Sequence, residues 1–203
     1  MTPRINVLSG QVYGNVDWVS ADGREFGMFL RSSEREASRV VMHGPEVVRM
    51  LENGVVQKGM LVTAYGALSA RCVKRQDDGT WMAEVLCNPS RVVAETARES
   101  RVRGAIHASL KGVVMYWDAE TLQLKTYFNP EAGFHSTTVT CSVHIKAWVD
   151  GMEEAVQEKF KSCIRKGREF TTSGLVQAST YRTRTGEQTC SLLLLPTDFR
   201  LQG

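Results

Sequence analysis

The chain has 203 residues, 42% of them hydrophobic, and a formal net charge of +3. That is enough for one large globular domain or two small ones, and the charge hints only weakly at an anionic partner. No apolar run approaches the ~20 residues of a membrane span, and the start, MTPRINVLSGQV, has no apolar leader core, so a cytoplasmic protein is expected.

Charge is unevenly placed. Residues 1–100 carry 12 Lys/Arg against 12 Asp/Glu, and residues 101–203 carry 13 against 10. The five cysteines (Cys72, Cys87, Cys141, Cys163 and Cys190) form no C-x-x-C pair and read as free thiols in a reducing compartment. His43, His107, His135 and His144 show no ligand spacing, so neither a metal nor another cofactor is expected.

In chain order, residues 5–19 read as a β-branched first strand with Gly10 at a kink. Glu25–Arg31 and Arg39–His43 follow as strands. The period then becomes helical over Pro45–Glu52, with Pro at an opening position and Gly54 closing it. Met60–Lys74 and Trp81–Cys87 form a hairpin across the polar turn QDDG. Ser90–Val102 lacks strand alternation and reads as a linker. The same order then recurs: strands over Arg103–Trp117, Leu122–Phe128 and Val139–Trp148, a helix over Met152–Cys163, and a hairpin of Glu169–Arg182 and Gln188–Leu195 across TRTG.

The recurrence extends to residues. Lys58-Gly59 matches Lys166-Gly167, Gly66 matches Gly174, Gly79 matches Gly186 and Pro89 matches Pro196. Upstream, LSGQV (8–12) is set against LKGVV (110–114), and SRVVMHG (38–44) against SVHIKAW (142–148). Three strands, a helix and a hairpin in about ninety residues is the layout of an OB barrel. The fold expected is therefore mainly β: two tandem five-stranded OB barrels, each with one helix between strands three and four. The barrels span 1–92 and 104–203, with a linker over 93–103. Another small β-barrel or one larger sandwich fits the same pattern.

The segment SRVVMHGPEVVRMLENGVVQKGMLVTAYGAL resembles the centre of bacterial single-stranded DNA-binding proteins. The resemblance rests on Val40, Val41, Gly44, Lys58, Gly59, Val62, Gly66 and Leu68. It implies sequence-independent binding of single-stranded DNA in replication, recombination or repair, by base stacking and phosphate contacts. It also implies a homo-oligomer, two chains supplying four barrels. The family's stacking aromatics fall here near Ala37, His43 and Val73, so the first half departs from the pattern. The family also ends in an acidic, Phe-terminated tip, whereas the sequence ends TDFRLQG, and recruitment by that route is not expected.

The second half keeps more of the chemistry. Tyr181, Arg182 and Arg184 lie on the predicted hairpin arm. Tyr127 and Phe128 point to opposite faces of a strand, so one is available outside. Trp117, Phe134 and Trp148 add aromatics, and Lys111, Lys125 and Lys146 are candidate phosphate partners. In the first half the corresponding candidates are Arg71, Lys74, Arg75 and Trp81. No G-x-S-x-G, P-loop or H-E-x-x-H occurs, so no enzyme is expected. An alternative is an OB-fold scaffold of a replication or mobile-element system with little direct DNA binding, and RNA is not distinguished from DNA.

Overall fold

The structure is a computed structural model that describes residues 7–31, 37–96, 103–128 and 139–202. Its first half contains β1 (Val7–Asn15), β2 (Trp18–Val19), β3 (Phe26–Arg31), β4 (Ala37–Met42), α1 (Pro45–Glu52), β5 (Leu61–Lys74) and β6 (Trp81–Glu95). The second contains β7 (Ala105–Val113), β8 (Tyr116–Asp118), β9 (Gln123–Phe128), β10 (Val139–His144), α2 (Lys146–Asp150), α3 (Glu154–Cys163), β11 (Glu169–Arg182) and β12 (Gln188–Leu201). The protein is mainly β. Among the described residues, no helix is long and apolar enough to cross a membrane.

The twelve strands of the described residues join in one sheet, ordered β2-β3-β4-β6-β5-β1-β7-β11-β12-β10-β9-β8. The order reads the same outward from its centre, where β1 and β7 pair antiparallel. Each half also closes on itself. Val16 N–H donates to the Met60 carbonyl on one side, and the next residue, Asp17, donates to the Gly27 carbonyl on the other. Val114 and Met115 repeat this, donating to the carbonyls of Arg168 and Lys125. At this point the chain changes partners, so a single long strand pairs at one end with β5 (or β11) and at the other with β3 (or β9).

The hairpins carry the recurrence with the least change. β5 pairs β6 with a bulge at Tyr65/Gly66, and β11 pairs β12 with a bulge at Ser173/Gly174. The residue skipped at each bulge donates a hydroxyl to the strand opposite: Ser90 to the Tyr65 carbonyl at 3.3 Å, and Thr197 to the Ser173 carbonyl at 3.2 Å. The turns are closed by Gly79 and Gly186, whose φ of 70° and 86° lies in the left-handed region that glycine tolerates best.

Elsewhere the structure corrects the sequence alignment. Gly10 pairs with Gly66, and Ala108, not Gly112, pairs with Gly174. Gly10 and Ala108 pair with each other at the centre of the sheet. The Leu-x-Gly match is thus displaced by four residues, because the equivalent of Gly112 is Gly14. In the third strands, Met42 pairs Cys87 and Val143 pairs Leu194, so His43 corresponds to His144 and the SRVVMHG match shifts by three.

Two element boundaries also move. The strand expected to run to Trp148 stops at His144, and α2 follows. One helical turn there buries Val149 and lays Trp148 against Phe160 and Phe199, with ring centroids 5.1 and 5.8 Å away. The second half therefore has two helices where one was expected. Ser90–Glu95 belongs to β6 rather than to a linker, because β5 opposite is long enough to pair it as far as Leu61. Residues 97–102 lie outside the described residues.

The core is continuous. Val12, Phe26, Met28, Val40, Val62 and Val85 of the first half belong to the same buried cluster as Leu110, Leu124, Cys141, Phe170, Leu192 and Leu194 of the second. β6 lies against β11, and β12 against β5, so the hairpins carry packing from one half into the other. Burial pushes the Cys87 and Cys141 thiols up to about 12. Burial and neighbouring Cys72 hold Cys190 at about 11. These are protonated thiols with no reactive thiolate at neutral pH.

Candidate functional site

Residues directly opposite one another across strands share a face, and the next row on that face lies two residues along. In the second half, Tyr127, Thr140, Ser191 and Ser179 form one such row across β9, β10, β12 and β11. Tyr116, Lys125, Ser142, Leu193 and Gln177 form the next. On the other side, Tyr181 pairs Thr189 on the hairpin arm. This face therefore carries three tyrosines, at 50% (Tyr116), 40% (Tyr127) and 41% (Tyr181) exposure. Lys125 stands among them, its ammonium 5.6 Å from the Tyr116 ring centroid. Among the described residues the three rows hold no carboxylate.

The neighbouring row adds Asp118, Gln123 and His144. Hydrogen bonds from Thr121 hold the Asp118 carboxyl below its ordinary range. His144 sits 2.5 Å from the Gln123 amide nitrogen. Burial, and then the Lys125 charge, lower its pKa, which keeps the ring neutral near pH 7.

Tyr116 was not among the residues singled out from sequence, which favoured its neighbour Trp117. Adjacent strand residues face opposite ways, and Trp117 pairs Leu124 and packs against the core. Tyr127 does point outward. Phe128 ends β9 and its side chain lies outside the described ones, as does all of Phe134. Trp148 belongs to the aromatic cluster with Phe160 and Phe199, not to a binding face. Trp148→Ala is therefore expected to lower the melting temperature while leaving any nucleic-acid affinity within about twofold. A folded variant with greatly reduced affinity would contradict that placement.

The cations divide sharply. Lys146 lies on α2 and pairs with Asp150 at 3.4 Å. Lys111 is exposed on β7 opposite Thr171, on the same face but six residues along β11 from Gln177. Arg75 is held by Asp77 and Asp78. Arg71 donates to the Glu84 carboxylate at 2.7 and 2.9 Å. Lys74 and Trp81 pair across the first hairpin arm, both exposed, on the face opposite Arg71. Arg182 and Arg184 are exposed near the tip of the second arm. Among the described residues, no group of His, Cys, Asp and Glu is arranged to hold a metal.

His43, the counterpart of His144, is pushed down to about 4 by burial and, secondarily, by Arg71. An unfolded histidine titrates near 6.5. As pH falls through 6.5 the unfolded chain therefore takes up the proton first, and stability declines from there to about pH 4. The melting temperature is expected to fall over that interval, and His43→Gln to reduce the fall. An unchanged slope in the variant would remove His43 as its cause.

No family model matches this chain, and no curated protein sequence matches it. Among solved structures, the wild-type single-stranded DNA binding protein from Thermus aquaticus is similar over 98% of this chain and 95% of its own, with a TM-score of 0.53 and 11% identity. A deletion mutant of that protein gives 0.52 and 10% over the same shares. At that identity what is shared is the fold, which is mainly β in this chain.

Proposed function

We propose that this chain is a tandem OB-fold protein that binds single-stranded DNA with little sequence preference through the face of its second half. The observation that carries the reading is the grouping of Tyr116, Tyr127 and Tyr181, all exposed, around Lys125 on one continuous face. Exposed aromatic rings stack bases of any identity, and cations beside them take phosphates. Arg182, on the opposite face of the arm from Tyr181, and Arg184 beyond it add positive charge near the arm's tip. The two barrels are assigned to 1–92 and 104–203 with 93–103 between them, of which Val93–Glu95 completes β6, and two chains associate to supply four barrels. The role is in replication, recombination or repair and is non-catalytic.

The test is a titration of fluorescein-labelled oligo-dT, followed by polarisation, at low and high salt, with duplex DNA as comparison. If Lys125, Arg182 and Arg184 each neutralise one phosphate, the slope of log K against log salt is about −2. Oligo-dT is expected to bind more tightly than duplex. No binding at micromolar protein in low salt would overturn the reading. Sedimentation of the same sample tests the dimer.

A further inference from the structure

The registers allow the two halves to be compared residue by residue on this face. The second half's row Tyr127–Thr140–Ser191–Ser179 has its counterpart in Phe29–Arg39–Glu84–Arg71 across β3, β4, β6 and β5. Beside Tyr127 stand three small hydroxyl side chains, with Ser179 Oγ 3.4 Å from Ser191 Oγ. Beside Phe29 stands an ion-paired cluster. The Glu84 side chain is 2% exposed, forms an ion pair with Arg39 across 3.0 Å and accepts a hydrogen bond from Arg71 Nη2 at 2.7 Å. Arg71 also reaches Glu25 at 3.9 Å.

The cluster also leans on the aromatics, although Phe29 itself stays 49% exposed. The Arg39 guanidinium carbon lies 5.0 Å from the Trp18 ring centroid and 6.0 Å from that of Phe29. Trp18 in turn lies so flat over β3 that a Cβ on Gly27 would meet its ring at 2.2 Å. Asp17 adds another carboxylate beside the row, accepting the Phe29 N–H at 2.6 Å. The two arginines themselves face two carboxylates, from Glu84 and Glu25. A phosphate would compete with a buried carboxylate for each arginine. A base approaching the Trp18 face beneath Arg39 would have to displace a guanidinium already against the ring.

We propose that the Arg39–Glu84–Arg71 cluster is a specificity determinant: it closes the first half's copy of the face to nucleic acid, leaving the second half to grip the strand. This inference rests on the binding function proposed above. The equivalent positions, Thr140, Ser191 and Ser179, define the open state of the same surface, since none of them brings a charge to Tyr127.

Exchanging the two sets tests it, with oligo-dT polarisation at low salt as the readout and thermal melts as the folding control. The first-half variant Arg39→Thr/Arg71→Ser/Glu84→Ser installs the second half's residues. It is expected to bind at least as tightly as wild type. The reverse graft, Thr140→Arg/Ser179→Arg/Ser191→Glu, is expected to weaken binding tenfold or more. A folded first-half variant weakened tenfold would overturn the inference, because the arginines would then be part of the grip. A folded graft with wild-type affinity would overturn it too. If the graft does not fold, the first-half variant decides alone. Failure of the wild-type chain to bind removes the underlying function, whereas these outcomes in a binding protein remove only the closure.

Discussion

Replacing Tyr116 and Tyr127 together by alanine is expected to weaken oligo-dT binding by at least about thirtyfold. Each stacked base contributes about 1–3 kcal/mol, so two lost platforms remove at least about 2 kcal/mol, and every 1.4 kcal/mol is a factor of ten. Both rings are about half exposed, so little core packing is lost and the melting temperature is expected to hold. Phenylalanine at both sites keeps the flat faces and is expected to retain most of the affinity. If alanine and phenylalanine variants bind alike, the rings are not stacking platforms. Tyr181→Ala tests the arm separately. It sits beyond the row of Ser179 and Ser191, and its loss is expected to affect longer oligonucleotides more than short ones.

The largest effects on stability are expected at the two bulge glycines. A Cβ on Gly66 would lie 2.2 Å from the Asn88 carbonyl oxygen, and one on Gly174 would lie 2.0 Å from that of Leu195. Both obstacles are backbone on the partner strand, within a ladder that runs through the centre of the sheet. Neither can move without breaking pairing. Gly66→Ala and Gly174→Ala are each expected to cost about 3 kcal/mol, or roughly 10 °C in melting temperature for a chain of this size. Gly186→Ala is the control. Its surroundings are open to 4 Å and only its φ of 86° is strained, so about 1 kcal/mol is expected. Equal losses at all three sites would show that backbone conformation, not the close approach, limits the bulges.

How much of this was legible in sequence depended on the kind of signal. The hairpins were read correctly as a repeated unit because their glycines do work that other residues do badly: Gly79 and Gly186 turn the chain at positive φ, and Gly66 and Gly174 admit the opposite backbone. The first strands were misaligned by four residues because small residues at their centre are interchangeable there. Gly10 occupies the place that Ala108 occupies in the second half. The helix α2 was read as strand because Ile145–Val149 holds β-branched and aromatic residues. Tertiary packing of Trp148 on Phe160 and Phe199 overrides that preference.

The site was half legible for the same reason. Tyr127 and Tyr181 could be placed on strands, but alternation alone put Tyr127 and Phe128 on opposite faces without choosing between them, and burial and register supply the choice. Trp117 stands out in sequence, but its partner Leu124 is buried, which turns Trp117 to the core and Tyr116 to the open face. Arg71 looked like a phosphate ligand because Glu84 lies thirteen residues away, and only the β5–β6 register brings them together. Charge in the sequence therefore overstated what the first half has to offer a phosphate.

Photocrosslinking with oligo-dT carrying 5-iododeoxyuridine, followed by peptide mapping, tests the central claim most directly, because excited iodouracil couples to the aromatic ring it stacks on. Adducts at Tyr116, Tyr127 and Tyr181 are the predicted result. Adducts confined to Trp18, Phe29 or Trp81 of the first half would contradict the account.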